Sequence, residues 1–578
     1  MTQRQSTLFN LLLFLLFPLL LFALGDITPI YFNNDDFFLK QIASGEMTGT
    51  PEAHLLHIGY LSGILLNVLY RFFPSLPWYG ILLFNYSFLS ISFAFYVLSA
   101  CFHKQWQKCL FCLSTSALSI AFLWTHVVQI QYTTITTIAC SASLVYFYCS
   151  VDQETPFLFL KKNLPGLFLF FLALELRDKA CIMLLPTFFL IGFMRWRKNP
   201  RMFKSLCVYG LSLLSILLLA LSINHFAYRS EEWQAFRQYN TAREQVVDYN
   251  GYPDYETYRS QYEALGISYT SYLSARDHYQ LLLDERIDTI FMQEMADISH
   301  RFNLNIKSMV LNFFERHLTS YEDRPLNLLA YVLYFFTLLF ILCFKKWSAL
   351  ADLLAIFAGR MIVWGYLLFI GRPLPRVTQG IYIMEILMLL GIICKQQLWQ
   401  FKGSSRQTLP RFLWGLFAGC LLFISFKWGI PHLNNVIQYS KSKVQYAENY
   451  QEMRTYFYQN RENLYLLDTN SFSYFTEAIF QETTPSRNNF VLMGSWTANS
   501  PWTDSIASQY NISSYEEAAV THDNVFFVFL NTPGIDYEYL ETYLDSKHPG
   551  TTLEIYDTFT STQGLEFYIL QAKSAKIK

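Results

Sequence analysis

Apolar residues along this chain fall in long blocks, most of them separated by short polar connections. The blocks run 7–24, 78–101, 109–127, 133–150, 164–176, 180–194, 205–224, 326–344, 348–370, 378–394 and 412–430. Several reach the roughly 20 residues that a helix needs to cross a ~30 Å hydrocarbon core. The pattern predicts an α-helical polytopic membrane protein with about eleven transmembrane helices. More apolar blocks follow the 7–24 block, so it reads as an uncleaved first span and not a signal peptide.

Lysine and arginine in the short connections set the orientation. Lys104 and Lys108, Lys161 and Lys162, Arg195 to Lys204, Lys345 and Lys346, and Lys395 to Arg411 fall on one side when the spans alternate. The positive-inside rule makes that side cytoplasmic, with the N-terminus inside and the C-terminus extracellular at the plasma membrane. The alternation requires that 55–73 does not cross. That segment is bounded by His54 and Arg71 and stops at Pro74, which suits a juxtamembrane or re-entrant helix.

Two long polar stretches complete the organisation. The expected units are 1–224, a membrane region with a first exoplasmic loop at 25–77; 225–325, a helical exoplasmic layer; 326–430, a second membrane region; and 431–578, an exoplasmic domain. In the second unit, Trp233, Phe236, Tyr239 and Val246 share one side of a helix. Ile287, Ile290, Phe291, Met295 and Ile298 are in register on another over 284–302. In the last unit, short apolar runs at 463–467, 489–493, 524–530, 552–556 and 566–570 alternate with helical patterns. This predicts a small α/β domain with a largely parallel sheet.

Composition narrows the function. The chain is 53% apolar, 18% aromatic and 15% charged, with a net charge of −1, and shows no basic stripe for nucleic acid. No Walker loop or Gly-x-Gly-x-x-Gly supports nucleotide binding. All ten cysteines lie in or beside apolar runs, so the polar units fold without disulfides, which suits a bacterial exterior.

Candidate chemistry gathers in the first loop and at two later turns. Asp35 and Asp36 stand where a general base would meet a hydroxyl substrate; they equally suit the start of a helix. His54 and His57, three apart, have the donor types to join an aspartate on a divalent metal, with polar packing the plainer role. Arg177 and Lys179 lie between two short spans, flanked by Glu175 and Asp178. There they read as phosphate ligands or as charges snorkelling at a hairpin tip. Arg372 and Arg376 sit on a Pro-stiffened turn, and guanidinium groups pair bidentately with phosphate oxygens. The aromatics Trp496, Trp502, Tyr249, Tyr252, Tyr255 and Tyr258 have rings that stack on sugars or pack in cores.

The order of these parts resembles the C-type membrane glycosyltransferases. The resemblance rests on the acidic pair after the first span, the Pro51-Glu52-Ala53-His54 segment, the short-span hairpin from Leu174 to Pro186, and the soluble C-terminal unit. The stretches YNTAREQVVDYNGYP and GRPLPRV also look similar to uncharacterised multi-spanning proteins of Gram-positive bacteria. The resemblance implies a polyprenyl-phosphate sugar donor, a glycan or lipid acceptor of the cell envelope, and inversion at the anomeric carbon. Asp35 or Asp36 would then be the base, with Arg177, Lys179, Arg372 and Arg376 on the leaving phosphate. Two other readings are a flippase of lipid-linked glycans and a non-catalytic envelope assembly protein.

Overall fold

The computed structural model describes residues 27–574, except 33, 103, 300–305, 319–320, 399–407 and 485. The expected first span at 7–24 lies outside the described residues. After β1 (Ile30–Tyr31), the first loop folds as α1 (Asn34–Ser44) and α2 (Tyr60–Phe72). At 13 residues α2 is about 20 Å long, shorter than a hydrocarbon core.

Next come α3 (Trp78–Ser99), α4 (Gln105–Phe122), β2 (Gln129–Ile130), α5 (Tyr132–Cys149), α6 (Pro156–Leu176), α7 (Asp178–Lys198) and α8 (Phe203–Ala227). The middle layer follows, with α9 (Glu231–Arg243), a π-helical segment Glu244–Asn250, α10 (Tyr269–His278), α11 (Thr289–Ser299) and α12 (Ile306–Leu318). The second apolar group is α13 (Leu326–Cys343), α14 (Trp347–Phe369), α15 (Pro375–Lys395) and α16 (Thr408–Ile424). Strand β1 pairs in parallel with β2, tying the first loop to the start of α5.

Among the described residues, eight helices are long and apolar enough to cross a membrane. The blocks at 109–127 and 133–150 are helical, as α4 and α5, but are not among these eight. Polar residues explain the difference: Gln105, Gln107 and Lys108 open α4, and serine and threonine recur through α5. The sequence of α5, YTTITTIACSASLVYFYC, is buried on nearly every side between α3, α6 and α15. Small residues let helices approach closely; at Gly380 of α15, a Cβ would collide with Thr137.

The helix is continuous across the boundary expected between 326–430 and 431–578. A π-helical turn, Ser425–Gly429, carries α16 straight into α17 (Ile430–Gln459). Pro431 falls in the first turn of α17, where its missing N–H costs little.

The C-terminal sheet has the order β4-β3-β5-β7-β6, with β3 (Leu464–Leu467), β4 (Phe490–Leu492), β5 (Val525–Leu530), β6 (Thr551–Thr560) and β7 (Glu566–Ser574). Strand β3 runs parallel to β4 and β5, while β7 is antiparallel to both β5 and β6. The sheet is therefore mixed rather than largely parallel. The short link from Thr560 to Glu566 joins β6 and β7 as a hairpin, which allows only antiparallel pairing. All of VFFVFL in β5 is buried, as expected of a central strand covered on both faces.

Two apolar cores result. One fills the helix bundle. The other joins the first loop, the middle layer and the C-terminal sheet, through residues such as Phe37, Tyr79, Trp233, Tyr450 and Trp502. In the middle layer Ile287, Phe291 and Met295 are buried as the periodicity predicts, but Ile290 is 61% exposed.

Candidate functional site

Several helix ends meet where the two cores adjoin. Arg177 occupies the extended residue between α6 and α7. Gly371, at φ +69°, turns the chain out of α14, and Pro375 opens α15, so Arg372 and Arg376 flank a tight turn. Asp35 and Asp36 lie in the first turn of α1, where carboxylates complement the helix dipole. Asp35, Tyr132 at the start of α5, Arg177, Arg372 and Arg376 border one cavity of about 650 Å³. The rest of its wall comes from the π-helical segment, Tyr279, and the residues after β3 and β4.

Six polar residues singled out from sequence line this cavity: Asp35, His57, Arg177, Lys179, Arg372 and Arg376. Arg376 Nη1 stands 3.7 Å from Asp35 Oδ2. The Arg177 guanidinium lies over the Tyr132 ring, 5.5 Å from its centroid, and its Nη1 donates to the His57 carbonyl oxygen at 3.4 Å. Arg372 stacks on Tyr249 at 4.5 Å.

Asp36 and His54 do not line the cavity. Asp36 is fully buried and accepts a 2.9 Å hydrogen bond from the Tyr79 hydroxyl. Burial pushes its carboxyl well above the usual carboxylate range. The two adjacent aspartates thus point apart, one to the cavity and one to the core. His54 pairs with Glu52 at 2.7 Å and stacks on Trp233, 4.7 Å between centroids. Burial holds the His57 imidazole well below its ordinary value, and the nearby Arg177, Arg243, Lys179 and Arg376 charges push the same way. Among the described residues no three His, Cys, Asp or Glu side chains gather as metal ligands.

Several cavity residues were not foreseen. Arg243 ends α9, and the π-helical segment supplies Glu244 and Asp248, one helical turn apart. Asp248 is 3.1 Å from Arg243 and 3.6 Å from Arg372, and Glu244 is 3.7 Å from Lys179. Lys179 thus pairs with Glu244 and not with Glu175, which flanks it in sequence. Glu175 is buried and accepts from the backbone of Ser62 at 3.3 Å. On the sequence these charges read as a solvated helix face; only the fold turns them inward. Of the six exterior aromatics, Trp496 and Tyr249 reach the cavity, while Trp502 and Tyr255 are buried in the core.

A second buried polar feature lies inside the bundle. Arg360, in the middle of α14, pairs with Glu385, in the middle of α15, at 2.7 Å, both nearly inaccessible to solvent. Tyr331 and Tyr382 flank the guanidinium at 5.9 and 5.8 Å. Glu385 is the one charge in the apolar block 378–394, and Arg360 shares 348–370 with Asp352 alone; such isolated charges are the signal that marks the pair.

No family model matches this chain, and neither the curated proteins nor the solved structures contain a match to it.

Proposed function

We propose that the protein is a membrane glycosyltransferase of the C type, taking a sugar from a polyprenyl-phosphate donor to a cell-envelope acceptor on the outer face. The observation that carries this reading is the convergence of Asp35 with Arg177, Lys179, Arg372 and Arg376 on one cavity at the helix ends. Lys198 and Lys395 lie at the other ends of their helices, α7 and α15. By the positive-inside rule that end faces the cytoplasm and the cavity faces out.

The step needs few groups. The acceptor hydroxyl gives its proton to Asp35, and its oxygen forms the new bond to the anomeric carbon from the side opposite the phosphate. The bond from that carbon to the phosphate oxygen breaks, and the electron pair leaves with the polyprenyl phosphate. Its added negative charge falls to the arginines and Lys179, fixed donors at the site where charge develops. His57, neutral and close to the cations, adds a polar contact without adding charge. Asp36 supports the start of α1 from within the core.

A lipid-linked glycan flippase is the second reading, and the buried Arg360–Glu385 pair favours it, since ion pairs inside the bilayer mark transport paths. Reconstituting the full chain with a polyprenyl-phosphate hexose labelled in the sugar separates the two. A transferase moves label from the lipid to a water-soluble or lipid acceptor in an envelope extract. A flippase leaves every label on its lipid and changes only the leaflet.

A further inference from the structure

The cavity has a second kind of wall. The parallel strands β3 and β4 end at Leu467 and Leu492, and the residues just beyond, Thr469 and Ser495, line the cavity. The chain passes from β3 outward to β4 and then back across to β5. In open sheets of this kind the carboxyl ends of the strands, at such a reversal, form the ligand crevice.

Three observations show that this corner is built with strain and little freedom. Ser495 has φ +89° and Tyr279 has φ +55°, both in the left-handed region that non-glycine residues rarely occupy. Gly494 sits between them and Thr469; a Cβ there would collide with the Tyr279 carbonyl oxygen and crowd Thr469 Oγ1. The Leu282 N–H donates to the Met493 carbonyl oxygen at 2.8 Å and fastens the two segments together. Non-glycine residues held in this way cluster at ligand clamps.

The groups presented are hydroxyls and a ring. Tyr279 leaves 42% of its surface open. Among the described residues, Thr469 Oγ1 and the neighbouring Trp496 Nε1 have no hydrogen-bond partner. Ser495 Oγ bonds Thr497 Oγ1 at 2.8 Å and keeps further donor or acceptor capacity. Of the three, none is charged, whereas Arg177, Lys179, Arg372 and Arg376 all come from helix ends of the bundle. A ligand with one anionic group and one polyhydroxylated ring matches both walls together.

We propose that the corner where Tyr279, Thr469 and Ser495 meet is a saccharide-recognising surface that selects the sugar carried by the donor lipid. It rests on the lipid-linked sugar reading above. The Tyr279 ring stacks on the sugar, and the Thr469 and Ser495 hydroxyls bond hydroxyl groups of the sugar.

The test uses the purified full chain in nanodiscs and five ligands: bare polyprenyl phosphate, and the same lipid phosphate carrying glucose, galactose, N-acetylglucosamine or N-acetylgalactosamine. The parent binds at least one sugar-bearing lipid about tenfold more tightly than the bare lipid, the scale of an aromatic contact. Tyr279→Asn, comfortable in the left-handed region, removes that margin and leaves bare-lipid affinity unchanged. Tyr279→Phe keeps the margin. Thr469→Val, close in shape, reduces it. A margin that survives Tyr279→Asn overturns the inference, as does equal binding of all five lipids. Failure of every lipid to bind would instead remove the proposed function, and this inference with it.

Discussion

The Arg376 guanidinium stands 3.7 Å from the Asp35 carboxylate, joining the first turn of α15 to the first turn of α1. Thr134 in α5 donates to the Arg376 carbonyl oxygen at 3.1 Å, so the arginine backbone is anchored as well. The proposed base and a proposed phosphate ligand are therefore positioned by one contact between remote parts of the chain.

That contact, and the pairing of Arg372 with Asp248 at 3.6 Å, hold both arginines against the cavity. Arg376→Ala and Arg372→Ala are each expected to weaken bare polyprenyl phosphate binding by about 10–100-fold, the range for a hydrogen bond to a charged group. Lysine in either position restores charge but not the planar fork, and recovers only part of the affinity. Tight-binding alanine variants would remove these residues from the phosphate site.

Burial of His57 sets a pH dependence. In the folded chain burial and the nearby cations hold its imidazole well below its ordinary pKa, so below about pH 6.5 the unfolded chain binds a proton that the folded chain does not. Stability from this group is present above that pH and lost as pH falls through it. The melting temperature should drop on acidification from pH 7.5 to 5, and His57→Gln should flatten that part of the curve. An unchanged curve would show that His57 does not titrate in this way.

Asp36 has the opposite sign. Its raised pKa means that, above the ordinary value of 3.8, the folded chain holds a proton that the unfolded chain has released. Stability contributed by Asp36 is complete below that value and declines as pH climbs toward the folded pKa. Asp36→Asn, similar in shape and neutral, still accepts from Tyr79 and removes this decline. It is expected to melt no lower than the parent at pH 7.5. A large loss of stability at that pH would show that a buried carboxylate is required.

The helix bearing both aspartates is fixed by a buried charge cluster. Lys40 Nζ is 2.8 Å from both Glu46 and Glu477, and Arg454 is 3.4 Å from Glu46, all within 2% of full burial. Lys40→Met would leave Glu477 without its ion-pair partner and Glu46 with Arg454 alone, at a cost of about 3–5 kcal/mol. Thermal unfolding in detergent should show this, together with lost activity, because α1 would no longer hold Asp35 in place. A neutral result would mean that the C-terminal domain does not brace α1.

Much of the bundle was legible because its helices are long apolar runs, and those survive in sequence without any partner information. The two helices that departed from that pattern, α4 and α5, carry serine and threonine because they are packed against other helices. The turn at Arg372–Arg376 was readable from its prolines. The charges at Arg243, Glu244 and Asp248 were not, because a charge turned toward a cavity and a charge turned toward water have the same local sequence. The choice between Asp35 and Asp36 also needed the fold: only the position of Tyr79 shows which one is buried. The antiparallel half of the C-terminal sheet depended on a short link whose hairpin geometry the apolar runs alone do not reveal.

The most direct measurement is the rate of sugar transfer from a polyprenyl-phosphate hexose by Asp35→Asn, beside Asp36→Asn and the parent, in membranes where all three bind bare polyprenyl phosphate equally. Loss of a positioned general base predicts a rate lower by about 10²–10⁴-fold for Asp35→Asn, with Asp36→Asn close to the parent. Full transfer by Asp35→Asn would contradict the account.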